Sequence, residues 1–245
     1  MILTSRSNPL IRETLSLKEK KGRKETGLFL VEGAKMASEC LKSGMETERV
    51  IASESYRGEL PEDAVRVSDG LFRLLSDEKT PQGILCRVRI PRRTFRPPQG
   101  SCLLLDGVSD PGNMGAIIRT ASAAGYKQLY LADCTDPWSP KSVRASMSGI
   151  FFTELYIAPR AEILQTLEGI PVFAADMEGE NIFSFSPPAV FALAVGNEAN
   201  GISEEVFARA AARLKIPMRP EQESLNAAVA AGIAMYALKR EQFTK

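Results

Sequence analysis

Cys102-Leu103-Leu104-Leu105-Asp106-Gly107-Val108-Ser109-Asp110-Pro111-Gly112-Asn113-Met114-Gly115-Ala116-Ile117-Ile118-Arg119 runs from an apolar strand, through a loop of Gly, Pro, Asn and acidic residues, into a helical pattern. The same succession returns at Val195-Gly196-Asn197-Glu198-Ala199-Asn200-Gly201 and at Ile216-Pro217-Met218-Arg219-Pro220-Glu221-Gln222-Glu223-Ser224-Leu225-Asn226. Uniformly apolar runs of this length read as strands buried on both faces of a parallel sheet. Open α/β sheets bind ligands in loops at the carboxyl ends of their strands, so three polar loops of this kind predict one shared site.

Around these loops, strands are predicted at Cys102–Leu105, Leu129–Leu131, Phe152–Ile157, Pro171–Ala174, Val190–Val195 and Leu214–Pro217. Helices are predicted at Ala116–Ala124, Pro140–Ser148, Ala161–Leu167, from Ser203, and from Ser224 to about Glu241. Upstream, Pro91-Arg92-Arg93-Thr94-Phe95-Arg96-Pro97-Pro98-Gln99-Gly100 suits an extended linker, and it divides a first domain, residues 1–96, from a second at 97–245. The first domain reads as a small alternating α/β layer. A helix follows Asn8-Pro9 and ends near Gly22; strands are expected at Phe29–Gly33, Val50–Ala52, Ala64–Val67 and Gly83–Val88, with helices at Ala34–Leu41 and Ser68–Leu75.

Composition narrows the chemistry. With 44% hydrophobic and 25% charged residues, the 245-residue chain is long enough and apolar enough to fold around a core. Cys40, Cys86, Cys102 and Cys134 are too widely spaced for a zinc knuckle or a redox pair, and no metal is expected. Histidine is absent, which removes imidazole bases, Ser-His-Asp and Cys-His nucleophiles and His-ligated zinc. No apolar run is long enough to span a bilayer, and the start, Met1 to Pro9, lacks the apolar block of a signal peptide; the expected location is the cytoplasm, away from membranes. Residues 1–98 hold 19 Lys+Arg against 14 Asp+Glu (net +5), and 99–245 hold 12 against 16 (net −4). That asymmetry suits an anionic partner for the first part, or a solvated face of mixed charge.

Among the loops, Asn113 lies beside a helix start, where free backbone N–H groups favour an anion, and Arg119 stands farther along that helix with a group able to hold a phosphate. Helix capping by Asn113 and an ordinary surface role for Arg119 are the alternatives. The glycines at 107, 112 and 115 do not have dinucleotide-fingerprint spacing, and Asp133 is the only acid placed to meet a ribose. Glu198 serves either a turn, an ion pair or a ligand, and Ser224 and Asn226 serve either as N-caps or as ligand contacts.

Taken together, Asp-Pro-Gly-Asn-x-Gly-x-x-x-Arg at 110–119, Gly-Asn-Glu at 196–198, and Ile-Pro-Met with Glu-Ser-Leu-Asn between 216 and 226 resemble the three motifs of the SpoU/TrmH branch of the SPOUT RNA methyltransferases. Ser7-Asn8-Pro9, Arg23, Phe29 to Gly33 and Thr80-Pro81-Gln82-Gly83 resemble the amino-terminal substrate-binding domain of rRNA-modifying members. The resemblance implies a mostly parallel sheet flanked by helices with a carboxy-terminal trefoil knot, a smaller α/β substrate-binding domain, and a homodimer formed through the knotted domain. It implies transfer of a methyl group from S-adenosylmethionine to a ribose 2′-hydroxyl of structured RNA, ribosomal RNA above transfer RNA. Carried onto this chain, Asn113, Arg119, Glu198, Ser224 and Asn226 form the catalytic cluster, and Gly196, Ile216, Met218, Leu225 and Asn226 hold the cofactor. Pro220, Gln222 and Ala227 depart from the usual residues of the cofactor loop. Lys18 to Lys24 and Arg92, Arg93 and Arg96 are the candidate phosphate contacts. The rivals are a non-catalytic RNA-binding protein on the same fold and a nucleotide-dependent oxidoreductase.

Overall fold

The computed structural model describes residues 2–243. They form two compact units: the chain up to Arg92 together with Asp136–Phe151, and Arg93–Thr135 together with the chain from Phe152 onward.

In the first unit a five-stranded sheet has the order β1 (Ile2–Leu3), β4 (Val65–Val67), β3 (Thr47–Ser53), β5 (Ile84–Arg89), β2 (Leu28–Glu32). β4 is parallel to β1 and β3, whereas β5 is antiparallel to both β3 and β2. Helices α1 (Pro9–Ser16), α2 (Lys20–Thr26), α3 (Ala34–Lys42) and α4 (Asp69–Leu75) accompany it. Ile11, Leu17, Leu30, Ile51, Phe72 and Leu85 belong to its core. The single helix expected between Asn8 and Gly22 is two. Asn8 caps the first through its side chain, and a Cβ at Gly22 would lie 2.1 Å from the Ser16 carbonyl oxygen, so the bend between the helices depends on that glycine.

Residues 136–151, which the linker-based reading places after the boundary, pack within this first unit. Trp138 lies against Phe29 with ring centroids 4.8 Å apart. Arg23, 4% exposed, donates Nε and Nη2 to Asp136 Oδ2 at 2.9 and 2.7 Å and Nη1 to the carbonyls of Leu17 and Lys18. Arg144, on the helix we label α6 (Pro140–Ser146), pairs with Asp77 and Glu78, each at 3.1 Å.

The second unit holds a six-stranded, wholly parallel sheet in the order β11 (Ala210–Lys215), β9 (Val172–Asn181), β10 (Ala192–Val195), β6 (Cys102–Asp106), β7 (Gln128–Ala132), β8 (Glu154–Ile157). Helices α5 (Pro111–Ala123), α7 (Arg160–Thr166), α8 (Glu204–Arg209) and α9 (Ala227–Leu238) connect or follow the strands. β6 sends the chain to β7 and β8 on one side, and β10 lies on its other side, so the strand order reverses between β6 and β10. A crevice at such a reversal is where α/β sheets take ligands. β9 continues well past the predicted Pro171–Ala174, and its second half is exposed. Gly179 (φ 137°) permits the extension, because a Cβ there would meet the Arg213 carbonyl oxygen of β11 at 2.3 Å. No described helix is long and apolar enough to cross a membrane.

Candidate active site

The loop after β6 is set by its helix start. Asp110 caps α5, its side chain accepting from Asn113 N at 2.8 Å, and Pro111 fills the first helical position, where no N–H is needed. α5 therefore begins five residues before the predicted Ala116, and Asn113 lies in its first turn. The loop after β10 closes on itself: Asn197 and Gly201 exchange backbone hydrogen bonds of 2.8 and 3.0 Å, and Asn197 Oδ1 accepts from the amides of Ala199 and Asn200. Asn197 Nδ2 donates to the Gly107 carbonyl at 2.7 Å, tying this loop to the first. A Cβ at Gly196 would stand 2.3 Å from the Gly201 carbonyl carbon, so the closed loop admits only glycine there. In the third loop, α9 starts at Ala227, three residues later than Ser224, and Asn226 caps it by accepting from Ala228 N and Val229 N.

A directed chain of hydrogen bonds joins the three loops. Asn226 Nδ2 donates to Asn113 Oδ1 at 3.0 Å, and Asn113 Nδ2 donates to Glu198 Oε1 at 2.8 Å. Glu198 Oε2 accepts from the Ser109 hydroxyl at 3.0 Å and amide at 3.3 Å. The cap obliges Asn226 to turn its oxygen to the helix and its NH₂ to Asn113, and an acceptor-only carboxylate obliges Asn113 to turn its NH₂ to Glu198. Both amides thus have one self-consistent orientation. Partial burial pushes the Glu198 carboxyl up, but the bonds from Asn113 and Ser109, together with a backbone bond at Glu198 itself, outweigh it and hold the group below its ordinary value. Glu198 is ionised at neutral pH and already accepts on both oxygens.

Beneath this chain the buried Asp106 accepts Arg160 Nε at 2.8 Å on one oxygen and Ser203 N at 2.8 Å on the other, fixing the end of the 196–202 loop to β6. Arg160 also pairs with Asp133 at 3.0 Å and Glu205 at 3.2 Å. The hydrogen bond to Asp106, with help from the other carboxylates, raises the guanidinium pKa further. Asp133 is therefore engaged by Arg160.

Of the site residues named from sequence, the structure brings Asn113, Glu198 and Asn226 into direct contact. Arg119 stands outside the chain of bonds, exposed, in the ninth position of α5, with no side-chain hydrogen bond or ion pair among the described residues. Ser224 is exposed and also makes none among them. Ile216, Met218 and Leu225 are half-buried at the third loop, and their backbone groups have no backbone partner among the described residues. Sequence reasoning does not single out Ser109, Asn197 or Arg160. Ser109 and Asn197 lie within the loops quoted above, whereas nothing near Arg160 marks it. Several candidate phosphate contacts are occupied: Arg23 is buried on Asp136, Lys18 Nζ binds the Leu74 and Ser76 carbonyls, and Arg93 and Arg96 pair with Glu154. Lys20, Lys24 and Arg92 are exposed and have no side-chain hydrogen bond or ion pair among the described residues.

A wholly parallel α/β sheet whose three strand-end loops converge on a polar chain at the strand-order reversal defines a ligand-binding enzyme fold. The chain belongs to the SpoU rRNA methylase family, whose model it matches over residues 100–236; residues 8–86 match the MRM3-like substrate binding domain. It is 30% identical to the 23S rRNA (guanosine(2553)-2'-O)-methyltransferase RlmP of Bacillus subtilis, across 97% of this chain and 98% of that protein. An AdoMet-bound rRNA methyltransferase from Sinorhizobium meliloti superposes with a TM-score of 0.87 at 28% identity, covering 98% of each chain. The SpoU methyltransferase AviRb from Streptomyces viridochromogenes, in complex with AdoMet, does so with a TM-score of 0.85 at 26% identity, over 97% of this chain and 99% of that one.

Proposed function

We propose that this protein transfers a methyl group from S-adenosylmethionine to a ribose 2′-hydroxyl of ribosomal RNA in the cytoplasm, with the second unit performing the reaction and the first recognising RNA. The observation that carries the reading is the directed chain Asn226–Asn113–Glu198, which links the three motif loops through side chains. Each amide NH₂ uses one proton inside the chain and retains a second as a donor. Those two protons, on Asn113 and Asn226, are suited to a ribose or phosphate oxygen.

The residues fit the cofactor. The unpaired backbone groups of Ile216, Met218 and Leu225, with the tightly closed loop at Gly196, form an uncharged donor and acceptor set of the kind that holds an adenine and an amino-acid moiety. When bound, S-adenosylmethionine supplies a sulfonium-activated methyl group, so the protein needs neither a nucleophile of its own nor a metal. Glu198 keeps Asn113 oriented. Arg119 holds the RNA phosphate and stabilises negative charge developing on the 2′-oxygen; a guanidinium stays protonated and does not act as the base. Ser224 completes the substrate contacts from the third loop.

A homodimer is part of the proposal. α9, Ala-Ala-Val-Ala-Ala-Gly-Ile-Ala-Met-Tyr-Ala-Leu, carries no charge on any face, and Val229 and Tyr236 are 51% and 42% exposed while Ala231, Ala234 and Met235 are buried. A helix apolar all round is a buried helix. Thr120, next to Arg119, approaches Gly232 of that helix, so a second copy covering α9 would also wall in Arg119. The trefoil knot that the family resemblance implies belongs to the same reading.

The test is transfer of labelled methyl from S-adenosylmethionine to unmodified ribosomal RNA, followed by digestion to nucleosides. A labelled 2′-O-methylnucleoside is expected. Label on a base, or none despite cofactor binding to RNA-saturated protein, would overturn the assignment.

A further inference from the structure

The motif Thr80-Pro81-Gln82-Gly83 plays no part in the methyl-transfer site, yet it forms one rim of a cleft of about 610 Å³ within the first unit. A space of that size admits a nucleotide. Arg57, Arg73 and Lys79 line it with Tyr56 and Gln82. Arg57 is held by the carbonyls of Glu54 and Tyr56 and has no carboxylate partner among the described residues. Lys79 and Arg73 make no side-chain hydrogen bond or ion pair among those residues, and Arg73 acts on Asp69 only as a nearby charge. Asp69, the one carboxylate in the lining, is committed to the Ser55 hydroxyl and amide at 2.8 and 3.2 Å. The cleft therefore presents three cations against a single carboxylate, Asp69, which stays charged.

Its rim is built in advance. The Glu32 carboxylate holds the Ser76 hydroxyl and, at 3.0 Å, the Asp77 amide at one end of the loop that carries Lys79. Gln82 Oε1 accepts from Ala34 N at 2.7 Å at the other. Gly83 (φ +81°) completes the turn where a Cβ would lie 2.7 Å from the Ser53 hydroxyl oxygen. A loop pinned at both ends places its cation at little entropic cost on binding.

We propose that this cleft binds a single-stranded segment of the RNA substrate, with Arg73 and Lys79 on successive phosphates and a base beside Tyr56. The inference rests on the RNA-methyltransferase reading and assigns substrate recognition to this face rather than to the basic run Lys18–Lys24, whose Arg23 and Lys18 are engaged internally. Unpaired bases stack on aromatic rings while flanking phosphates take Lys and Arg, a sequence-tolerant mode that suits a loop of folded RNA.

The test measures affinity of the full-length protein for an unmodified large-subunit ribosomal RNA transcript across a salt series. R73E/K79E is expected to bind about tenfold or more weakly, with a log K against log salt slope shallower by about 1.4, the share of two single-strand phosphates. Y56A is expected to lose about fivefold with the slope unchanged. K20E/K24E, the same charge change on α2, is expected to stay within about twofold of wild type. Equal loss in the two charge-reversal variants, or no loss in R73E/K79E while wild type methylates the transcript, overturns the cleft and leaves the methyltransferase reading standing. Wild type that neither binds nor methylates the transcript overturns both. Circular dichroism and thermal unfolding report folding of each variant; where the fold is lost, R73Q/K79Q replaces the reversal and the slope must still become shallower.

Discussion

Asn226→Asp and Glu198→Gln each exchange an amide and a carboxylate at one end of the hydrogen-bonded chain, and the geometry dictates that the pair together should do less harm than either alone. In N226D the new carboxylate still caps α9, but it turns an acceptor toward Asn113 Oδ1. Asn113 must flip to donate to it, and its oxygen then faces the ionised Glu198. In E198Q the new amide must keep its oxygen for Ser109 and so opposes an NH₂ to that of Asn113, or the reverse. The double variant resolves both conflicts. The introduced glutamine donates to a flipped Asn113, Asn113 donates to the introduced aspartate, and that aspartate accepts the helix amides. Each single conflict costs about 1–2 kcal/mol, below the figure for a fully buried group because the cluster is partly open to water. In a chain of this size about 1 kcal/mol moves Tm by roughly 2–4 °C. Thermal unfolding of the four proteins should therefore give a coupling of about 2–4 kcal/mol, the sum of the two single costs, in favour of the double variant. Additive single effects, within about 0.5 kcal/mol, would refute the directed chain.

Arg119→Ala should cut methyl transfer by about a hundredfold or more while cofactor affinity, measured by calorimetry, stays within about twofold; lost cofactor binding would remove the role given to Arg119. Gly196→Ala forces a Cβ to within 2.3 Å of the Gly201 backbone, and equilibrium dialysis should show cofactor affinity at least about tenfold weaker. Asp136→Ala strands the buried Arg23 guanidinium and should destabilise the first unit by about 3 kcal/mol in urea unfolding. Because the folded Glu198 carboxyl lies below its ordinary value, its contribution is complete above the ordinary carboxylate range and lost as pH falls through the folded value; the E198Q urea midpoint should fall less than that of wild type over that acid window.

Strand and helix alternation is readable because buried parallel strands such as Cys102–Leu105 and Ala192–Val195 are apolar on both faces, a signal local to each segment. What escapes a sequence reading depends on partners distant in the chain. The second half of β9, residues 176–181, has no apolar face, and it is a strand because β11 lies beside it and Gly179 lets the two backbones approach. The start of α5 reads late because Pro111 and Gly112 look like breakers, although proline is favoured at a first helical position once Asp110 supplies the cap. Residues 136–151 follow a linker and look like part of the second domain, but Trp138 and Asp136 find Phe29 and Arg23 more than a hundred positions upstream. The same pairing explains why one member of the most basic run is not available to a phosphate: Arg23 is a core residue. In the site, Asn113, Glu198 and Asn226 are marked by their loops, but that they touch one another, and that Ser109 is the other partner of Glu198, requires the fold.

The absence of histidine takes on a mechanistic meaning once the carboxylate is located. Glu198 is the only acid in the chain of bonds, and a base there would need a free lone pair and an elevated pKa. It has the opposite: bonds from Asn113, from the Ser109 hydroxyl and amide, and at its own backbone, with a lowered pKa. Its charge serves to aim Asn113. On the function proposed above, the protein contributes position and positive charge, from two amide protons and Arg119, to a reaction whose electrophile is already activated when the cofactor is bound. On this reading the rate rises with pH as the ribose hydroxyl ionises against solvent, with no inflection belonging to Glu198. A pH–rate profile of methyl transfer whose acid limb moves in E198Q would show instead that the carboxylate takes the proton.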